Sequence, residues 1–389
     1  MTDPNSARPQ RLWAALLAAT LLNLPLGSVY SFSVFLRPIE AELDIPRAAL
    51  SLVFGLATVG FTVGSVAAAF VFRVASAPVL VLAAAVTAAL GIAVAASADG
   101  LAQLLLGYGV VFGTGGGVAY ILLQQGVNML VRRRQGLVNG YIVSLYPLGA
   151  VIATPAFHWS NGAFGWRATL LGLAVALVLC GTAAALLVRH AGARLAVSAG
   201  GAAAPARLGA NFFKLSATFF LAASAGLMVM SQAREIVAAY GGAAALAVGA
   251  TTGITAAIAL ARVSGGWLVD RFAAPHVMCA AHALSLCGGA LLSLAPGPGM
   301  AVLGLGMIGV GYGFVSGATA GTIGLLWPAA DFGRVAGRTY IAWCAAAVGL
   351  PVLAGHLFDI SGGYGGAVLI AGGANVVGMA VALGLPKRK

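Results

Sequence analysis

The fold is decided by the stretch from Thr251 to Asp270, which reads TTGITAAIALARVSGGWLVD. It is apolar along most of its length, yet it carries Arg262 and has no acid before Asp270. A helix of this length covers the roughly 30 Å hydrocarbon core of a bilayer, because each residue adds about 1.5 Å. An arginine inside such a helix costs about 3 kcal/mol on insertion scales. We therefore expect Arg262 to have a function, and its simplest partner is an anionic substrate.

The composition of the whole chain indicates an integral membrane protein. Of its 389 residues, 61% are hydrophobic and 8% are charged, whereas soluble domains carry about 25% charged residues. The long apolar stretches must be helices, because a membrane β-barrel alternates apolar with polar residues. We predict an all-α fold with twelve transmembrane spans, at residues 12–35, 48–70, 78–97, 101–130, 135–157, 168–188, 212–238, 243–269, 275–294, 298–327, 332–358 and 364–385.

The net charge of +12 is distributed as a membrane topology signal. With these spans, 16 of the 21 Lys and Arg residues fall on one side of the membrane and four on the other, and the last is Arg262. Loops rich in Lys and Arg stay in the cytoplasm. We therefore expect a multi-pass protein of the inner (cytoplasmic) membrane with both termini in the cytoplasm. The same distribution argues against nucleic acid as a partner.

An internal repeat divides the chain into two parts. The longest polar stretch, 189–211, is predicted to be a cytoplasmic linker between an N-terminal half at 1–188 and a C-terminal half at 212–389. Gly136 and Gly140 at the start of span 5 recur, at an offset of 197, as the Gly333–Gly337 pair at the start of span 11. Six-span halves in the same orientation are parallel repeats, an architecture that places substrate near the bilayer midplane.

A loop motif adds a family resemblance. Gly266-Trp-Leu-Val-Asp270-Arg271, at the end of span 8, resembles the G-x-x-x-D-R motif of the major facilitator superfamily. The first-half copy, from Gly64 to Arg73, lacks the Asp. The resemblance implies twelve transmembrane helices in two six-helix pseudo-symmetric halves. It also implies that Asp270 and Arg271 act in gating on the cytoplasmic side.

Four segments are similar to the oxalate:formate antiporter and monocarboxylate transporter branch of that superfamily. They are Asn23–Phe32 in span 1, Leu43–Ser51 in the following loop, Gly113–Tyr120 in span 4 and Arg262–Gly266 in span 8. The resemblance implies that Arg262 binds the substrate carboxylate and that Tyr120 lines the cavity. Oxalate carriers have a lysine in span 11 after Tyr-x-Ala, whereas here Trp343 follows Tyr340-Ile-Ala342. This difference favours a substrate with one carboxylate.

Several other candidate substrate-binding residues lie at a similar depth. Counting about 1.5 Å per residue from the cytoplasmic charges places Asn23, Tyr120 and Tyr146 near the midplane with Arg262, and Tyr312 lies near the centre of span 10. The tyrosines could equally be packing residues, and the asparagine could hydrogen-bond between helices. With Arg262, the predicted substrate-binding set is Tyr120, Tyr146, Tyr312, Asn23, Tyr30, Gln124 and Trp343.

The expected function is secondary active transport of a small organic anion by alternating access. The substrate class is a monocarboxylate such as lactate, pyruvate or formate, carried by antiport or proton-coupled symport. All nine acids lie in loops or near span ends, so His356 is the candidate proton-coupling residue, with neutral packing as its alternative. The alternatives for the whole protein are an oxalate-like dicarboxylate exchanger and a transporter-like membrane sensor.

The sequence also indicates what the protein lacks. It has no nucleophile elbow, no phosphate-binding loop outside a span and no metal-ligand spacing among its four cysteines, so we expect no enzyme activity, no cofactor and no metal. The expected partners are a small carboxylate, protons or a counter-anion, and the lipid bilayer. The family resemblance implies a monomer.

Overall fold

The structure is a computed structural model that describes residues 7–195, 207–294, 297–361 and 365–387. Within these ranges every regular element is helical. The α-helices are α1 (Ala7–Gly27), α2 (Leu36–Leu43), α3 (Arg47–Val71), α4 (Ala77–Ala96), α5 (Leu101–Leu104), α6 (Gly113–Asn128), α7 (Gln135–Ala191), α8 (Gly209–Ala239), α9 (Ala244–Val269), α10 (Ala274–Leu294), α11 (Pro298–Leu326), α12 (Phe332–Ser361) and α13 (Gly365–Leu383).

Short segments of other helix types connect some of these helices. A 3₁₀ helix, Ser28–Phe35, joins α1 to α2, and a π-helix, Leu105–Phe112, joins α5 to α6. A second 3₁₀ turn, Ala329–Asp331, precedes α12. Of the predicted linker at 189–211, residues 196–206 lie outside the described residues.

The lengths of the helices confirm the prediction of an all-helical membrane protein. Among the described residues, ten helical elements are long and apolar enough to cross a bilayer, and α8 brings the number to eleven. One of the ten is α7, which has 57 residues and contains Gly165 at φ +82°. A straight helix of that length would measure about 86 Å, nearly three times the hydrocarbon core. The break at Gly165 therefore divides α7 into the predicted spans 5 and 6.

Glycines allow several of these helices to pack closely. A Cβ placed on Gly117 of α6 would overlap the carbonyl oxygen of Phe61 in α3, and one on Gly64 of α3 would overlap that of Thr114. Helix association in a membrane depends on such close contacts, since lipid chains are as apolar as the helices themselves. The glycines of α3 and α6 thus set the distance between the two helices.

The chain folds into two compact units. Unit 1 comprises residues 1–133, 145–206 and 327–340, and unit 2 comprises residues 134–144, 207–326 and 341–389. The start of α7 therefore belongs to unit 2, and the start of α12 belongs to unit 1. An offset of 197 relates these two helix starts, as in the sequence repeat. The division into halves at 1–188 and 212–389 remains a prediction from that repeat.

Candidate functional site

Arg262 lies buried in unit 2, with 4% of its surface exposed. It is held between two neighbouring helices. Its Nη1 donates a hydrogen bond of 2.9 Å to the carbonyl oxygen of Val143 in α7, and its Nη2 donates one of 3.0 Å to the hydroxyl of Tyr312 in α11. The guanidinium carbon lies 5.4 Å from the centre of the Tyr312 ring. These two hydrogen bonds orient the guanidinium that is predicted to bind substrate.

The hydroxyl of Tyr312 receives a second donor. Nε1 of Trp343 in α12 donates to the same oxygen at 3.0 Å. Guanidinium and indole N–H groups can only donate, so the Tyr312 oxygen must accept from both. Its own proton is then not used by either partner and can be donated to an acceptor such as a carboxylate. Arg262, Tyr312 and Trp343, here called the donor cluster, thus present hydrogen-bond donors, which suit an anion.

The Val143 carbonyl is available to Arg262 because Pro147 cannot donate a helical hydrogen bond to it. Pro147 lies four residues after Val143 and has no N–H, so the usual helical bond to the Val143 carbonyl cannot form. Buried carbonyl groups nearly always have a partner, and here Arg262 supplies one. Sequence reasoning missed Val143 because the group is part of the backbone. The available signal was a proline one turn further along an apolar helix.

Two glycines bring the neighbouring backbones close to Arg262. A Cβ on Gly140 of α7 would lie 2.5 Å from the carbonyl oxygen of Arg262. A Cβ on Gly317 of α11 would overlap the same oxygen even more severely. Any side chain at either position would push its helix away from α9. The two glycines therefore allow Val143 and Tyr312 to reach the guanidinium.

A cluster of aromatic residues lies in unit 1. The hydroxyls of Tyr120 and Tyr340 are 2.7 Å apart. The ring of Phe61 lies 5.5 Å from the rings of both, and 5.4 Å from that of Tyr146. Tyr30 is more peripheral, with its ring 6.4 Å from that of Tyr146. The structure thus brings together the predicted Tyr120 and Tyr146, and it adds Phe61 and Tyr340, which the sequence did not single out as ligands.

Two predicted polar residues of unit 1 are fully buried. Asn23 of α1 has 0% of its surface exposed, and Gln124 of α6 has 1%. Neither side-chain polar atom of Asn23 has a hydrogen-bond partner within the described part of the chain. A buried polar group left unsatisfied costs about 1–3 kcal/mol. Asn23 is therefore suited to bind a polar ligand, and its role as a substrate contact stays a prediction.

The predicted gating residues have different environments. Asp270, at the end of α9, accepts hydrogen bonds of 2.8 Å from the backbone N–H groups of Gly136 and Leu137. A carboxylate at this place satisfies the first turn of α7 and complements its dipole. The guanidinium of Arg271 instead lies over the ring of Trp267, at 4.2 Å. Asp270 is therefore a cap for α7, contributed by another helix.

Gln125 caps the repeat-related helix in unit 1. Its Oε1 accepts a 2.7 Å hydrogen bond from the backbone N–H of Gly333, in the first turn of α12. Its Nε2 donates to the carbonyl oxygens of Leu195 and Ala329, at 2.9 and 3.0 Å. The first-half loop motif lacks its Asp, and the amide of Gln125 holds the start of α12. No sequence motif marked this residue.

Two histidines of unit 2 have different environments. His356 of α12, the candidate proton-coupling residue, is exposed. The buried histidine His282 of α10 instead pairs through Nδ1 with the side-chain oxygen of Asn375 in α13, at 2.8 Å. The coupling role of His356 stays a prediction. Among the residues that the structure describes, no group of three or more His, Cys, Asp or Glu side chains could hold a metal ion.

Comparison with known proteins identifies the class. The sequence profile of the Major Facilitator Superfamily matches residues 16–351. The chain therefore belongs to this family of membrane transporters, and it is not an enzyme.

Individual relatives and structures agree with that family. Over 314 residues the chain is 27% identical to the uncharacterized MFS-type transporter YhjX of Escherichia coli strain K12, covering 76% of this chain and 75% of that one. Over 394 residues it is 26% identical to monocarboxylate transporter 13 of Bos taurus, covering 96% and 89%. A double-tryptophan mutant of XylE has a similar fold, with a TM-score of 0.81, 14% identity and 97% coverage of each chain.

Proposed function

We propose that this transporter carries a small monocarboxylate across the inner membrane by alternating access. The observation that carries the proposal is the donor cluster: a buried guanidinium whose Nη2 donates to a tyrosine hydroxyl that also accepts from Trp343, which leaves the hydroxyl proton for a ligand. A planar guanidinium can hold a carboxylate through two parallel hydrogen bonds. The similarity to monocarboxylate transporter 13 supports the same substrate class.

The character of the donor cluster favours one carboxylate over two. Arg262 supplies one positive charge, and the other two members, Tyr312 and Trp343, are neutral donors. Trp343 also supplies an aromatic wall where the oxalate carriers have a lysine. One cation neutralises one anion, whereas a dicarboxylate would bring a second charge into a buried site at a high desolvation cost.

Replacement of Arg262 tests the proposal. We expect Arg262→Gln to reduce uptake of labelled lactate, pyruvate and formate into proteoliposomes by about 100-fold or more, because it removes a charged hydrogen-bond donor to the carboxylate. Arg234→Gln is the matched control, since Arg234 is exposed on α8. Size-exclusion chromatography would show that both variants are folded. Transport by Arg262→Gln at the wild-type rate would refute the proposed site.

A ligand panel separates the alternatives. In thermal-shift measurements on the purified protein, lactate, pyruvate or formate should stabilise the wild type, and Arg262→Gln should lose the effect, because bound ligand stabilises only the folded state. Larger shifts with oxalate or succinate would indicate a dicarboxylate carrier. A shift without any transport of the same ligand would indicate a sensor.

A further inference from the structure

The carbonyl group of Val143 is placed to do more than orient a side chain. We propose, on the basis of the proposed function, that it is the resting partner of Arg262, which a substrate carboxylate displaces. Pro147 makes this possible by leaving the carbonyl without a helical donor. Val143 and Pro147 are thus positioning residues that act through Arg262.

The geometry suits a hydrogen bond between Arg262 and Val143 that a carboxylate can replace. The Val143 oxygen is 2.9 Å from Nη1, and both residues are buried. A carbonyl is a neutral acceptor, whereas a carboxylate forms a shorter and stronger charge-assisted bond with a guanidinium. A carboxylate that reaches Nη1 therefore has the advantage over the carbonyl. Before it arrives, the carbonyl dipole stabilises a buried charge that would otherwise be costly.

The switch of Arg262 from the Val143 carbonyl to a carboxylate also affects α7. When Arg262 turns to the carboxylate, the Val143 carbonyl loses its donor and has no replacement within the helix, because Pro147 cannot supply one. The boundary between the two compact units falls in the same turn, between Ser144 and Leu145. Occupation of the guanidinium is therefore linked to the hydrogen bonding of α7 at that turn.

The replacement of the Val143 carbonyl by a carboxylate also predicts whether the empty carrier can return across the membrane. A guanidinium that keeps a neutral partner without substrate allows the empty carrier to reorient, so net uptake should accompany exchange. Pro147→Ala restores a backbone N–H one turn after Val143, and the Val143 carbonyl is then shared between that N–H and Arg262. The empty carrier should therefore lose stability relative to the loaded carrier, because only the loaded carrier, in which the carboxylate holds Arg262, leaves the Val143 carbonyl entirely to the new N–H.

The test compares net uptake with exchange in proteoliposomes, using the best transported of lactate, pyruvate and formate. For Pro147→Ala we expect net uptake to fall about tenfold, as for one weakened bond to a charged group, with exchange within about twofold of wild type and a lower KM. Pro155→Ala is the matched control, because Pro155 lies in the same helix and is exposed. It should leave the ratio of the two rates unchanged.

The outcomes separate this inference from the proposed function. An unchanged ratio in Pro147→Ala, or equal losses of net uptake and exchange, would overturn the inference and leave the monocarboxylate site intact. A wild-type protein that transports none of the three acids would overturn both. If Pro147→Ala does not fold, infrared spectra of protein labelled with ¹³C-carbonyl valine give a second test. Substrate should shift a valine carbonyl band that Val143→Ile lacks, and a band that does not respond would overturn the inference.

Discussion

At the residue scale, the site is built from hydrogen-bond donors that neighbouring helices orient. The two donors to Tyr312 leave its hydroxyl proton for a further acceptor, and this follows from the chemistry of arginine and tryptophan side chains. Arg262 and Tyr312 could be identified from the sequence alone, because a charged residue and a tyrosine stand out in otherwise apolar segments. The sequence could not show that the hydroxyl proton is left for a ligand, because that depends on which helices meet.

The Tyr312 hydroxyl gives the prediction at this scale. Tyr312→Phe keeps the ring and removes the proton that we expect to bind substrate. A hydrogen bond to a charged group contributes about 1.5–3 kcal/mol, so the KM for the monocarboxylate should rise about 10- to 100-fold. Tyr240→Phe is the control, since that hydroxyl binds the carbonyl oxygen of Leu292 at 2.8 Å. An unchanged KM in Tyr312→Phe would mean that the hydroxyl does not contact substrate.

The carbonyl of Val143 shows where prediction from sequence ends at this scale. A backbone carbonyl is present whatever the residue type, so any residue at position 143 would supply this acceptor. Pro147 is the visible sign that a carbonyl one turn earlier needs a partner. The identity of that partner depends on the approach of α9, which Gly140 permits.

At the element scale, the helix boundaries were predictable within a few residues. Length and apolarity define a span, and charged residues or glycines end it. The internal irregularities were not predictable, because a helix that is apolar on all sides gives no periodic signal. The π-helix at Leu105–Phe112 lies inside predicted span 4, and the 3₁₀ helix at Ser28–Phe35 ends predicted span 1.

The caps of α7 and α12 give the prediction at the element scale. Asp270→Ala removes an acceptor from two N–H groups, and Gln125→Ala removes one acceptor and a donor. Each change should destabilise the protein by about 1–2 kcal/mol, as for other helix caps, and lower its apparent Tm in detergent. The control is Gln103→Ala, whose side chain accepts from the Asp99 N–H at an exposed site. Equal Tm values for all three variants would contradict the capping role.

At the scale of the whole molecule, the sequence predicted the class of fold and the existence of a repeat. The Gly136 and Gly333 pairs mark equivalent helix starts, and the structure gives each start to a different compact unit. That assignment was not predictable, because it depends on which helices surround each start. Gln125 illustrates the difference, since it caps α12 and no sequence motif marked it.

The orientation in the membrane is the prediction for the whole molecule. The 16 basic residues on one side should hold both termini and that side's loops in the cytoplasm. Alkaline phosphatase fused after Lys387 should be inactive, whereas phosphatase inserted at Ser97–Gly100, between α4 and α5, should be active. Green fluorescent protein at the same two sites is the reciprocal control. The opposite pattern would reverse the orientation and would place the Asp270 cap on the outer side.

The close approach of α7 and α11 to the backbone of Arg262 predicts which positions are conserved among related sequences. We expect Gly140 and Gly317 to be as invariant among relatives as the arginine itself, although neither has a side chain with which to touch a substrate. Their invariance would mean that all related carriers need the same close spacing of helix backbones, whatever their substrates. Differences in substrate preference between related carriers should instead be recorded at positions such as Trp343, where a change of side chain leaves that spacing intact.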